Sequence, residues 1–182
     1  MTFSLQRHPD TPSKLIRGIE VAHEWKSRDT LWLRYFVDCP VDRLFIPDPA
    51  KPERMDDLWK TTCFELFLKE PCAAPYCEFN FSPSGRWAAY GFCDFRDGAH
   101  DLEVPSDPAI APLDAGDSYF ALEVDVVLPA DRIYPTMPAA ISAIIVDADE
   151  NKTYWGYRHP EGDPEFHHED CFAARLTPPE AA

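Results

Sequence analysis

Apolar and polar residues alternate along most of this chain, the pattern of strands with one buried face and one outward face. Residues 30–38 place Leu31, Leu33, Tyr35 and Val37 on one side. Residues 62–69 set Phe64, Leu66 and Leu68 against Cys63, Glu65 and Phe67. Residues 76–82 set Cys77, Phe79 and Phe81 against Tyr76, Glu78, Asn80 and Ser82. Residues 86–93 carry Trp87, Tyr90 and Phe92, and residues 119–128 align Phe120, Leu122, Val124, Val126 and Leu128. The apolar run at 140–147 suits a strand covered on both faces. Residues 153–158 and 171–176 read as closing strands, and 14–25 as an early strand with poorer alternation.

Turn chemistry separates these runs. Pro83, Ser84 and Gly85 predict a short hairpin turn. The Pro-rich stretches 48–53 and 105–112 predict loops, and 129–135 one helical turn. No long amphipathic helix, internal repeat or interdomain linker is visible. The pattern predicts an all-β, antiparallel β-sandwich: one domain over 1–182, with its core at about 14–176.

Composition fits that reading. The 182 residues suffice for a core without staples. Aromatics at 13% and 19 Pro against 7 Gly speak for ordered loops. The net charge of −15 repels phosphate backbones and anionic lipid, so no nucleic-acid or membrane partner is expected. A neutral or cationic small molecule is easier to accommodate. The N-terminal MTFSLQRHPD lacks the apolar run of a secretion signal, so a cytoplasmic location is expected. Six cysteines in that setting read as reduced, buried small hydrophobes. Cys72 and Cys77 lack the second pair that a zinc site needs.

The candidate chemistry lies on two neighbouring strands. Glu65 alternates out of one, and Glu78 and Asn80 out of the next. Paired strands would bring the three to one face, with Trp59 just before it. An indole plate beside carboxylates and an amide can stack on the CH face of a sugar and bind its hydroxyls. The same pattern also fits an ordinary solvated sheet face.

The run D-L-W-K-T-T-C-F-E-L-F-L, with Y-C-E-F-N-F-S-P-S-G-R-W-A-A-Y-G-F after it, resembles bacterial DOMON-like proteins. These are related to the family 9 carbohydrate-binding modules. The segment Y-W-G-Y-R-H-P-E-G-D-P-E-F-H-H-E-D-C-F-A-A-R-L is similar to the closing segment of that group. The resemblance covers about residues 15–176 and implies a jelly-roll sandwich. In those modules two tryptophans clamp a sugar ring, and strand-borne Glu and Asn bind its hydroxyls. Trp59, Glu65 and Asn80 match that motif in kind and spacing. Glu78 stands where the modules often carry a basic residue. Trp155 is the expected second clamp, with Arg158 and His159 beside it completing the candidate set. Related DOMON domains bind haem, so haem or a divalent metal is the alternative ligand. No Met and His axial pair stands out, since Met55 and Met137 fall in expected loops. A protein-interaction module is a third reading.

His159, His167 and His168 lie among five carboxylates and could assemble a metal site. Adjacent His167 and His168 point opposite ways on an extended chain, which favours a folded loop with hydrogen-bonded histidines. Glu65 and Glu78 are the only carboxylate pair placed for acid–base catalysis. No nucleophile motif, phosphate loop or triad accompanies them. The expected activity is therefore small-ligand binding without catalysis, with no cofactor.

Overall fold

The computed structural model describes residues 2–113 and 117–180. Among them are twelve strands, no α-helix and four short 3-10 turns. One sheet contains β1 (Thr2–Arg7), β2 (Gly18–Trp25), β3 (Thr30–Asp38), β8 (Ala109–Leu113) and β9 (Tyr119–Val127), in the order β1-β2-β3-β9-β8. The other contains β4 (Cys63–Lys69), β5 (Tyr76–Phe81), β6 (Trp87–Phe92), β7 (His100–Asp101), β10 (Met137–Val146), β11 (Lys152–Gly156) and β12 (Ala174–Leu176). Its order is β7-β6-β5-β4-β10-β11, with β12 beside the start of β10. All pairings between these strands are antiparallel.

β1 joins the two sheets. Its residues Thr2–Leu5 pair with β2, while Gln6 and Arg7 pair with β11. A strand that changes sheets turns the corner of a sandwich. The whole ladder thus curls into one antiparallel sandwich.

The alternation predicts the core well. Leu31, Leu33, Tyr35 and Val37 of β3 are fully buried and face Phe64, Leu66, Phe79 and Phe81 of the opposite sheet. In the middle the Phe64 ring stacks on Phe120 and meets Tyr35 at a tilt. Tyr35 satisfies its buried hydroxyl by donating to the Glu65 carbonyl at 2.8 Å. That bond crosses the sandwich and fixes β4 in the second sheet. Thr62 anchors the start of β4, donating to the Phe45 carbonyl and accepting from the Val146 amide.

Several expectations need correcting. β1 had too few apolar positions to stand out, with only Phe3 and Leu5 buried. β8 lies inside the expected loop 105–112; as an edge strand it tolerates Pro112, whose missing N–H breaks no central ladder. The early strand starts at Gly18 instead of residue 14, and Met137 is the buried first residue of β10, not a loop residue. Cys72 and Cys93 are exposed, while the other four cysteines are buried and all six are free. The expected helical turn is the 3-10 turn Ala130–Arg132. No helix among the described residues is long and apolar enough to cross a membrane.

Candidate functional site

β4 and β5 are buried on both faces. Their inner face is apolar core. Their outer face carries Glu65 and Phe67, then Tyr76, Glu78 and Asn80, because side chains alternate. The register sets Glu65 opposite Asn80 and Phe67 opposite Glu78. The two glutamates are therefore diagonal neighbours. β10 adds Ser142 opposite Glu65, and β6 adds Tyr90 opposite Glu78.

What covers this face is not sheet but loop. One cover is the turn Leu58–Lys60. Asp57 precedes it in the left-handed region, at φ 64°. Leu58 packs down onto Cys63 and Ala88. Its neighbour Trp59 is turned outward and remains 45% exposed. The turn is pinned by Lys60 Nζ on Asp57 at 2.6 Å and by the Tyr90 hydroxyl on Asp56 at 2.7 Å. The other cover is the loop after β11, which contributes Pro164, Phe166 and His167.

Between the covers lies a cavity of about 630 Å³. Glu65 and Glu78 form its polar floor, Phe67, Phe92 and Ile144 its apolar floor, and Trp59, Tyr90, Tyr154 and Phe166 its aromatic sides. Its volume falls within the range of small-molecule sites.

Both floor carboxylates are deeply buried, Glu65 at 2% and Glu78 at 6% exposure. Ser142 donates to Glu65 Oε2 at 2.9 Å, and Asn80 donates to Glu78 Oε1 at 2.7 Å. No lysine or arginine forms an ion pair with either among the described residues. Burial, and secondarily the charge of Glu78, raises the Glu65 pKa to about 8 against the Ser142 hydrogen bond. Burial likewise raises Glu78 to about 7, against the Asn80 hydrogen bond and the Arg96 charge. Two such neighbours titrate as a pair that retains a proton near neutrality.

His167 Nε2 stands 3.6 Å from Glu78 Oε2. Its Nδ1 lies 2.8 Å from the Tyr76 hydroxyl. That hydroxyl also accepts the Arg96 amide at 3.1 Å. Burial lowers the His167 pKa to about 4, assisted by the Arg96 charge and opposed by Glu165, so the ring is neutral. Arg96 forks onto both oxygens of Glu165 at 2.8 and 3.0 Å. Burial opposes the Glu165 charge, yet Arg96 and the His167 amide outweigh it and hold its pKa below the usual range.

The sequence-predicted residues thus divide. Trp59, Glu65 and Glu78 line the cavity. Asn80, at 1% exposure, lies beneath it and steadies Glu78. Trp155 is corrected: it points into the core between the sheets at 4% exposure and donates its indole N–H to Thr153. It cannot face Trp59 across the cavity, because alternation gives the outward place to Tyr154. Arg158 is exposed and does not line the cavity. His159 Nε2 donates to the Gln6 carbonyl at 2.8 Å, and the ring lies over Gly156 and packs against Phe166, holding the covering loop. The histidines do not converge: His168 bonds the Asp170 amide, and no metal-ligand cluster occurs among the described residues. Tyr154, Phe166, Tyr90 and Arg96 were not singled out as site residues. Tyr90 and Tyr154 could have been found by extending the strand parity; Phe166 and Arg96 arrive from irregular loops with no period to read.

No protein-family profile and no curated protein matches the sequence. Solved structures do match. A candidate carbohydrate-binding protein from Bacteroides uniformis aligns over 97% of this chain and 85% of its own, at 16% identity and a TM-score of 0.66. A family 9 carbohydrate-binding module from Caldicellulosiruptor kristjanssonii, in complex with glucose, aligns over 94% of this chain and 80% of its own, at 12% identity and a TM-score of 0.55. At such identities the likeness establishes the fold: an antiparallel β-sandwich of the family 9 carbohydrate-binding-module kind.

Proposed function

We propose that this domain binds a small ligand, a carbohydrate or sugar-containing metabolite, without transforming it. The observation that carries this reading is the cavity with Trp59 at its edge and Glu65 and Glu78 in its floor. A half-exposed indole offers a stacking plate, and the buried carboxyls offer hydroxyl partners held by Ser142 and Asn80. The fold shared with a glucose-bound module supports the same reading. Trp59, Glu65 and Glu78 are assigned to direct ligand contact, with Tyr154 in place of Trp155. Asn80 and His159 are positioning residues. The DOMON-like resemblance of the Trp59–Phe92 stretch belongs to this proposal too.

Isothermal titration against a panel of mono- and oligosaccharides tests it. Heat from at least one sugar at millimolar concentration, lost in Trp59→Ala, is expected. No heat from any sugar, with a folded sample, overturns the reading. Metal analysis and a visible absorption spectrum of the purified protein test the haem or metal alternative in the same preparation.

A further inference from the structure

The cavity is acidic as well as aromatic. Besides Glu65 and Glu78, its lining includes Asp56, Asp57 and Asp101. The rim carboxylates have partners: Asp57 meets Lys60, Asp101 lies 3.7 Å from Arg54, and Asp56 accepts from Tyr90. The floor carboxylates have no cationic side chain paired with them. Their one basic neighbour, His167, is held neutral and stands beyond hydrogen-bond reach of Glu78. Glu65 Oε1 carries no hydrogen bond among the described residues, although the side chain is almost wholly buried in the cavity floor. Buried carboxylates are ordinarily paired or neutralised, and leaving one free costs stability.

Among the described residues the only arginine or lysine of the lining is Arg96, and Glu165 already holds both ends of its fork. An anionic ligand would meet no unpaired arginine or lysine there. The aromatic rings point the same way, since their electron-rich faces attract positive charge. Lys60 and Lys152 already stand 5.7 and 5.9 Å from the Trp59 ring centre, outside the cavity lining.

We propose that the cavity takes a polyol bearing a cationic amino group, an amino sugar in preference to its neutral parent. This deepens the carbohydrate reading above and rests on it. The ammonium supplies the missing partner of Glu65 and Glu78. The sugar frame takes the apolar floor and the Trp59 plate. Ion pairing inside a water-poor cavity strengthens the bond.

The test is calorimetric titration of the full chain with glucosamine and with glucose near neutral pH. Glucosamine should bind about tenfold or more tightly than glucose, since one good charge-assisted bond is of that size. The gap should narrow with added salt and close in the Glu65→Gln, Glu78→Gln double variant. Glucose binding with glucosamine no tighter overturns this inference and leaves the carbohydrate reading standing. Binding of neither, with no other sugar active, overturns both. A gap that persists in the double variant overturns the assignment to these carboxylates. If that variant does not fold, the wild-type preference and its salt dependence decide alone.

Discussion

The outer faces of the two sheets handle charge in opposite ways. On β3 and β9, outward residues are largely half-exposed and their charges are paired. Lys26 meets Asp125 at 2.6 Å, and Arg34 faces its cross-strand partner Glu123 at 4.0 Å. On β4, β5 and β10, outward residues are buried beneath loops, and among the described residues Glu65 and Glu78 have no lysine or arginine partner. Surface pairs of the first kind cost nothing to hydrate and contribute little. Buried carboxylates of the second kind lower stability, and one hydrogen bond each, from Ser142 and Asn80, offsets only part of that cost. A face covered and left under-paired is one arranged for an occupant, whereas a face left open needs none.

The contrast within a single strand is sharper. Phe64 and Glu65 are adjacent and nearly equally buried, yet they point to opposite sides of β4. Phe64→Ala opens a cavity against Tyr35 and Phe120 and should cost about 3–5 kcal/mol, read from urea denaturation midpoints. Glu65→Gln should cost far less, or stabilise the protein above about pH 8 where the wild-type carboxyl must ionise. Equal losses for the two would break the distinction between a core face and a site face.

The titration of the floor gives the next largest effect. Glu65 and Glu78 have folded pKa values raised above the ordinary glutamate value, to about 8 and about 7. The folded state therefore binds protons more tightly, and stability falls as pH rises from about 4.5 to about 8. His167 has its folded value lowered to about 4, so it contributes the opposite slope between 4 and 6.5. The two trends overlap on the acid side and separate above 6.5. Two glutamates outweigh one histidine, so the contribution of these groups should fall from about pH 4.5 onward, most steeply above 6.5, by on the order of 3 kcal/mol between pH 6.5 and 8.5. The Glu65→Gln, Glu78→Gln variant should flatten this fall, and His167→Gln should steepen it between about pH 4 and 6.5. A wild-type profile flat between 6.5 and 8.5 would show that the floor carboxyls are hydrated after all.

Trp59→Ala should separate ligand binding from stability. The residue is half-exposed on a short turn, so its removal should change folding by less than about 1 kcal/mol. Ligand affinity should fall about 10- to 100-fold, the usual scale for a lost aromatic plate. Trp155→Ala should do the reverse, because Trp155 belongs to the core. The pair of tryptophans thus discriminates between the two sides of the second sheet.

The sequence made the strands readable wherever one face is apolar for several residues. Residues 30–38 were read to the residue, because Leu31, Leu33, Tyr35 and Val37 are all fully buried. β1 offers two such positions, and β8 has a proline on an edge, so neither rose above its neighbours. Glu65 and Glu78 were readable as a shared face for the same reason of parity. Whether that face was wet or covered was not, since the cover comes from irregular loops at 56–59 and 164–167 that carry no period to read. Trp155 failed on parity: it is one residue from Tyr154 and therefore on the wrong side.

The smallest expected effect tests the other half of the contrast. Lys26→Ala removes one of the outer-face pairs on the first sheet. Lys26 is half-exposed, and Asp125 is about one-third exposed. Water and salt screen such a pair, and holding the long lysine side chain in place costs entropy. Denaturation midpoints for Lys26→Ala should therefore match wild type to within about 0.5 kcal/mol and should be insensitive to added salt. Ligand affinity should not change, because the pair lies on the opposite sheet from the cavity. A loss well above that figure would mean that the exposed face also depends on its charges. The difference between the two faces would then be one of degree, and the under-paired carboxylates of the second sheet would lose their standing as evidence for an occupant.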